Sequence, residues 1–178
     1  MSAAPDRPLT TAELLARYDR PGPRYTSYPT AVEFHSGFTE ADYRERLSAA
    51  NAQVEEPLSL YAHLPFCEER CLFCGCNVVI TRHRHVAEHY LEHVLLEVDL
   101  LARHLPARRR VSQMHWGGGT PTYYPPADLE RLFRAVTERF QFTPDAEIGI
   151  EVDPRVTTPE HITALRRLGF NQIGRAHV

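Results

Sequence analysis

All four cysteines of the chain fall in one stretch, Cys67-Glu68-Glu69-Arg70-Cys71-Leu72-Phe73-Cys74-Gly75-Cys76. Three residues separate the first pair, two the second and one the third. A loop with that spacing can turn the sulfurs of Cys67, Cys71 and Cys74 toward a common centre. Thiolates so placed are soft ligands, suited to an iron–sulfur cluster or to zinc. A cubane cluster has four irons, so three cysteines leave one iron without a protein ligand, and an open coordination position is what a catalytic metal site keeps. Zinc is the alternative, but zinc ribbons use two well-separated pairs, whereas Cys74 and Cys76 have one residue between them. Disulfides fit less well, because the cysteines crowd into one loop and nothing in the chain reads as secreted. The spacing favours a cluster, with zinc second.

Composition narrows the classes. The 178 residues can bury a real core. A net charge of −3 carries no electrostatic footprint for nucleic acid. No apolar run is long enough to span a membrane, and residues 1–10 are polar and proline-bearing, without the apolar segment of a signal peptide. Reduced thiols without a targeting signal point to the cytoplasm. All 20 basic residues are Arg, which excludes a Walker A lysine or a Schiff-base lysine from this stretch.

The elements that must position the cysteines follow from pattern. Residues 10–18 read as a short helix with a Thr10/Glu13 capping box. Residues 20–30 hold three prolines and a glycine and read as an extended arm. Thr39 caps a helix to about Ala50, with Asp42 in the capping-box position. Residues 58–66 form a first strand that runs straight into the cysteine loop; residues 78–81 are too short to assign. From about 85 to 105 apolar residues recur at helical spacing, which predicts a long amphipathic helix. His85, His89 and His93 lie four apart on it, a stripe that is more often solvated surface than a metal site. Residues 111–116 form a strand ending in Gly117-Gly118-Gly119-Thr120. These glycines let a ligand approach bare backbone and leave N–H groups free to donate. A helix over 126–140, a strand over 147–152, a helix from Thr158 to about Leu168 ended by Gly169, and a strand opening at Asn171 complete the chain.

Strands and helices therefore alternate, and short connections between them imply right-handed βαβ units and a parallel sheet. The cysteine loop, the glycine run and Glu151 all fall at the C-terminal ends of successive strands. In parallel sheets and barrels that edge carries function.

The cysteine spacing resembles the signature of the radical S-adenosylmethionine (SAM) enzymes. Within them, Tyr25-Thr26-Ser27-Tyr28-Pro29-Thr30, Tyr61-Ala62-His63-Leu64-Pro65-Phe66-Cys67, His115-Trp116-Gly117-Gly118-Gly119-Thr120-Pro121-Thr122 and Glu151-Val152-Asp153-Pro154-Arg155 resemble the oxygen-independent coproporphyrinogen III oxidases. The resemblance covers about residues 18–172. It implies an α/β fold: the first part of a partial (β/α)6 TIM-like barrel, truncated near the fourth strand, with an N-terminal helical and extended arm. It implies an arm over 1–56 and a radical SAM core over 57–172. It implies that Cys67, Cys71 and Cys74 ligate a [4Fe–4S] cluster whose free iron is chelated by SAM. Cys76 would lie close by without ligating, and with Tyr61 would serve catalysis. Tyr61, Phe73, Gly118, Gly119, Thr120 and Glu151 would contact SAM, of which the family binds two molecules. The implied reaction converts two propionates of coproporphyrinogen III to vinyls, giving protoporphyrinogen IX for haem synthesis. Implied partners are that substrate and an electron donor, with no nucleic acid, no membrane span and a monomeric state.

Haem chaperones share the cluster loop and the glycine run but lack both the cysteine at Cys76 and the Tyr-Thr-Ser-Tyr-Pro-Thr arm, so the oxidase is favoured. A zinc-stapled interaction module is the reading from a different class. Residues 173–178 depart from the family pattern. The codons ATC GGA AGA GCA CAC GTC would encode them and resemble a sequencing-library adapter. The expectation is a natural protein longer than this chain, and a chain that does not turn over alone.

Overall fold

The structure is a computed structural model that describes residues 10–19, 30–72 and 74–175. Residues 20–29 of the proline-bearing arm, Phe73, and the termini 1–9 and 176–178 lie outside the described residues. The chain divides into two compact units, Met1–Thr39 and Glu40–Val178. In the first, helix α1 (Thr11–Tyr18) begins at Thr10 with the reciprocal Thr10/Glu13 capping box that the sequence predicts.

The second unit holds a four-stranded parallel sheet and the helices that cover it. Helix α2 (Glu40–Asn51) leads to strand β1 (Leu58–Leu64), and a short pair β2 (Phe66–Cys67) and β3 (Val79–Ile80) follows. Then come α3 (Arg84–His104), β4 (Arg110–Gly118), α4 (Pro126–Thr137), β5 (Gln141–Val152), α5 (Pro159–Leu168) and β6 (Gln172–Arg175). The sheet order is β1-β4-β5-β6, every pair parallel. The sheet thus grows in one direction with one helix per crossover. Repeated crossovers of one hand put every helix on the same face, which is how a barrel wall starts and how a doubly wound sheet does not.

Register separates the two faces. Leu60, Met114 and Ile148 align, as do Ala62, Trp116, Ile150 and Ile173. This face packs on Ala87 and Leu91 of α3, Leu129, Leu132 and Val136 of α4 and Leu165 of α5 in one core. Trp116 is fully buried, its ring edge-on to Phe170 at 4.9 Å. Burial of each such large side chain contributes about 1.5–3 kcal/mol. The other face carries Ser59, Gln113 and Glu147 in one row, Tyr61, His115, Gly149 and Gln172 in the next, then His63, Gly117, Glu151 and Gly174. It is polar, and Tyr61 on it remains 59% exposed.

The elements differ from expectation in three places. The first strand breaks at Pro65, which has no N–H to donate; beyond it β2 pairs with β3, so residues 78–81 do hold a strand. The third strand starts at Gln141 rather than at residue 147. Between paired positions β4 advances from Val111 to Gln113 while β5 advances from Phe142 to Glu147. The surplus bulges out around Pro144, and a bulge is where a strand tolerates proline. Helix α4 ends at Thr137, short of residue 140, in a turn where the Arg139 and Phe140 N–H groups both donate to the Val136 carbonyl.

Candidate functional site

Two strand pairings close the cysteine loop at its base. Val79 N–H donates to the Pro65 carbonyl at 2.8 Å and Thr81 N–H to the Cys67 carbonyl at 3.0 Å. Charge holds its rim: Arg84 pairs with Glu68, and Arg82 reaches Glu69 at 3.0 Å. Inside the loop Cys74 N–H donates to the Cys71 carbonyl at 3.2 Å. All four cysteines are free thiols; Cys67, Cys71 and Cys74 are half-buried and Cys76 is exposed. Burial pushes the Cys67 thiol up, with the Thr120 hydroxyl pulling against it and Cys71 and Cys74 adding to the rise. Partial burial and the neighbouring Cys74 push the Cys76 thiol up as well. Among the described residues no three His, Cys, Asp or Glu side chains converge on a ready metal position. The loop gathers its thiols in mutual electrostatic reach without closing them on one point. Free, half-buried thiols in a closed loop are nonetheless a donor set that fits a soft metal.

The glycine run comes to the same edge. Cys67 Sγ lies 3.4 Å from Thr120 Oγ1. The N–H groups of Gly118, Gly119 and Thr120 are all taken: by Glu151 Oε2 at 3.3 Å, the Leu64 carbonyl at 3.0 Å and the Phe66 carbonyl at 2.9 Å. The expectation of free donors there is therefore corrected, since the run continues to pair with the chain beyond β1. What faces outward is the part-exposed Glu151 carboxylate; Thr120 is buried, its hydroxyl against Cys67. The glycines also make room for the protein itself. A Cβ on Gly117 would stand 2.9 Å from Glu151 Oε2, one on Gly118 2.6 Å from the His63 ring, and one on Gly119 2.6 Å from the Pro65 carbonyl. Gly118 is also at φ +112°, where a side chain is strained.

Tyr61 anchors the polar face. Its hydroxyl lies 3.1 Å from His63 Nδ1, and His63 Nε2 lies 2.9 Å from the Asn77 carbonyl. The carbonyl can only accept, so in the neutral ring Nε2 carries the proton and Nδ1 accepts from Tyr61. The Tyr61 ring stacks with His115 at 6.2 Å, and His115 Nε2 is 3.6 Å from Glu151 Oε1. Partial burial, with Glu151 and Cys76 nearby, pushes the Tyr61 phenol up. Gly149 admits the His115 ring, because a Cβ there would meet Nδ1 at 2.8 Å.

The structure thus brings Cys67, Gly117–Thr120 and Glu151 together, with Tyr61 beside Glu151 and the loop of Cys71, Cys74 and Cys76 over them. Phe73 lies outside the described residues. Sequence reasoning missed His63, His115, Asp153 and Arg155 as site neighbours. The signal for His63 was its two-residue spacing from Tyr61 on a strand, which puts both on one face. The histidine stripe on α3 behaves as surface: His93 Nδ1–H donates to the His89 carbonyl at 2.9 Å, and the two rings meet edge-on.

Known proteins resemble this arrangement. The radical SAM superfamily model matches residues 61–174. Oxygen-independent coproporphyrinogen III oxidase of Escherichia coli is 50% identical over 161 residues, 90% of this chain and 34% of that protein. A Mannheimia haemolytica sequence of the same name is 49% identical over 141 residues, 79% of this chain and 94% of that sequence. A solved structure, described as coproporphyrinogen III oxidase from Escherichia coli, a radical SAM enzyme, superposes with a TM-score of 0.76 at 46% identity. That superposition covers 91% of this chain and 35% of the other. The chain spans about a third of the length of the Escherichia coli, Synechocystis sp. and Pseudomonas aeruginosa relatives.

Proposed function

Because the chain belongs to the radical SAM superfamily, and within it to the oxygen-independent coproporphyrinogen III oxidases, we propose that it serves the oxidative decarboxylation of coproporphyrinogen III to protoporphyrinogen IX. The superfamily implies a [4Fe–4S] cluster and SAM. When bound, they supply a 5′-deoxyadenosyl radical able to take hydrogen from an unactivated carbon. That chemistry suits a propionate β-carbon, whose C–H no side-chain base removes at neutral pH. The protein's share is to bind, orient and shield.

In this reading Cys67, Cys71 and Cys74 hold the iron, and Cys76 stands beside them without ligating. Glu151 and Thr120 accept hydrogen bonds from a ligand ammonium group, while Gly118 and Gly119 keep that surface flat. Tyr61, fixed by His63, and Phe73 complete the SAM contact. Two SAM molecules, an external electron donor, a monomeric state and a cytoplasmic setting belong to the same proposal. So does the division into an arm over 1–56 and a core over 57–172. Among the described residues no helix is long and apolar enough to cross a membrane. The observation that carries the proposal is the meeting at one sheet edge of Cys67 with Thr120 and of Glu151 with Gly118.

Anaerobic reconstitution with iron and sulfide tests it. The chain is expected to turn brown, with absorbance at ~400 nm from thiolate-held iron. Cys67→Ala, Cys71→Ala and Cys74→Ala should each abolish that absorbance, and Cys76→Ser should keep it. A colourless, zinc-loaded chain would favour a zinc-stapled module. Iron loss in Cys76→Ser as complete as in Cys71→Ala would overturn the ligand assignment.

A further inference from the structure

Arg155 sits on the turn after β5, apart from the residues assigned to iron or SAM. The turn is tightly made. Val156 and Thr157 N–H both donate to the Asp153 carbonyl, at 3.1 and 3.0 Å, and the Thr157 hydroxyl donates to the same oxygen at 2.7 Å. Asp153 is only 5% exposed. Its carboxylate accepts from Arg155 N–H at 2.9 Å, from Nε at 3.0 Å and from Nη2 at 2.6 Å. The guanidinium is thereby pinned along one edge. Its far side points across the sheet edge to the cysteine loop, where Nη2 lies 3.9 Å from Cys71 Sγ and Nη1 lies 4.0 Å from Glu69 Oε2. Nη2 carries two hydrogens, one for Asp153 and one for the sulfur.

We propose that Arg155 is a positioning residue for the cysteine loop: pinned by Asp153, it ties Cys71 to the sheet edge and sets a fixed positive charge beside the iron that Cys71 holds. This rests on the reading of Cys71 as an iron ligand. An arginine needed only to neutralise Asp153 would satisfy that task without reaching the loop. A guanidinium stays charged at any working pH, and its planar fork suits a carboxylate on one side while leaving donors on the other. A donor and a positive charge beside a ligand sulfur favour the more negative, reduced cluster and raise its potential. Such outer contacts also slow metal loss.

The test compares the full chain with Arg155→Met and Arg155→Lys. After anaerobic reconstitution, reductive titration followed by electron paramagnetic resonance reads the potential, and a chelator reads iron loss. In the metal-free chains, tryptic cleavage after Arg70, followed by mass spectrometry, reads how firmly the loop is held. Arg155→Met should lower the one-electron reduction equilibrium about tenfold, about 59 mV. It should also lose iron roughly tenfold faster and be cut sooner at Arg70. Arg155→Lys keeps the charge and loses the fork, so it should retain a near-native potential while losing iron and yielding to trypsin faster than wild type. Wild-type potential and iron retention in both variants would overturn the inference. Should Arg155→Met fail to fold, wild-type iron loss and cleavage in Arg155→Lys would do the same. If the wild-type chain takes up no iron, the ligand reading falls, and equal cleavage at Arg70 in all three metal-free chains would remove the loop anchor as well.

Discussion

At the scale of single residues, the glycines and the buried aspartate carry sharp expectations. Gly119 faces the Pro65 carbonyl, a backbone group that cannot swing aside, whereas an added Cβ on Gly75 would meet open space. Gly119→Ala should therefore destabilise the chain by about 3 kcal/mol, the upper range for overpacking. Gly75→Ala should stay within about 0.5 kcal/mol. Urea titration of both variants checks the contrast. Asp153 gives a pH signature. Hydrogen bonds from Arg155 hold its carboxyl below the usual carboxylate range. A depressed carboxyl stabilises the fold fully above its unfolded value, about 3.9. The contribution fades as pH falls through the folded value. Asp153→Asn should thus be less stable than wild type at pH 7, and the gap should close below about pH 4. A gap that widens toward acid would reverse the sign of this linkage. Legibility differed among these residues. Cysteines and glycines announced themselves by type and spacing. The roles of His115 and Gly149 depend on which residue of one strand lies beside which residue of the next, and local pattern does not contain that register. Arg155 is farther still from view, since its partner Cys71 is 84 positions away.

At the scale of elements, local rules were most readable at helix ends. Helix α5 starts where Thr158 precedes Pro159 and stops at Gly169, which takes a left-handed φ of +93°. The reciprocal cap was not foreseen, because its third residue is His161 rather than Glu or Gln. His161 Nδ1 lies 3.1 Å from Thr158 N–H, while Nε2–H donates to the buried Tyr124 carbonyl at 2.9 Å. One imidazole thus satisfies a helix start and a carbonyl of the β4–α4 loop. Thr158→Ala should cost about 1 kcal/mol, the usual loss of a cap, read as a lowered melting temperature. The start of β5 was missed for the opposite reason: Pro144 reads locally as a turn, and only the neighbouring strand draws it into a bulge. Midway along that strand, tertiary context again replaces local rule. The Asn171 side chain accepts from Ile148 N–H at 2.9 Å and donates to the Ala146 carbonyl at 2.8 Å, extending the pairing that its own N–H makes with the Ile148 carbonyl just before β6.

At the scale of the molecule, the four strands form an open wall, and among the described residues β1 and β6 are its edges. Among the described residues its polar face leaves Tyr61 59% exposed, and exposed edges invite association with other chains. The 178-residue chain alone should therefore take up iron anaerobically yet form no protoporphyrinogen from coproporphyrinogen III when supplied with SAM and a reductant. Turnover at a rate comparable to the relatives that match it would refute this. The parallel sheet was legible because alternation of strands and helices, with short connections, leaves few topologies; the partial barrel came from the family resemblance. The polar inner face was not, since alternation along a single strand does not say which face meets helices. That two-sided wall has an evolutionary consequence. Along β1, β4 and β5, residues of one parity hold the fold and residues of the other parity meet whatever lies inside. Selection can rewrite the second set while the first stays fixed, so one such wall can be recruited to new substrates with little loss of foldability.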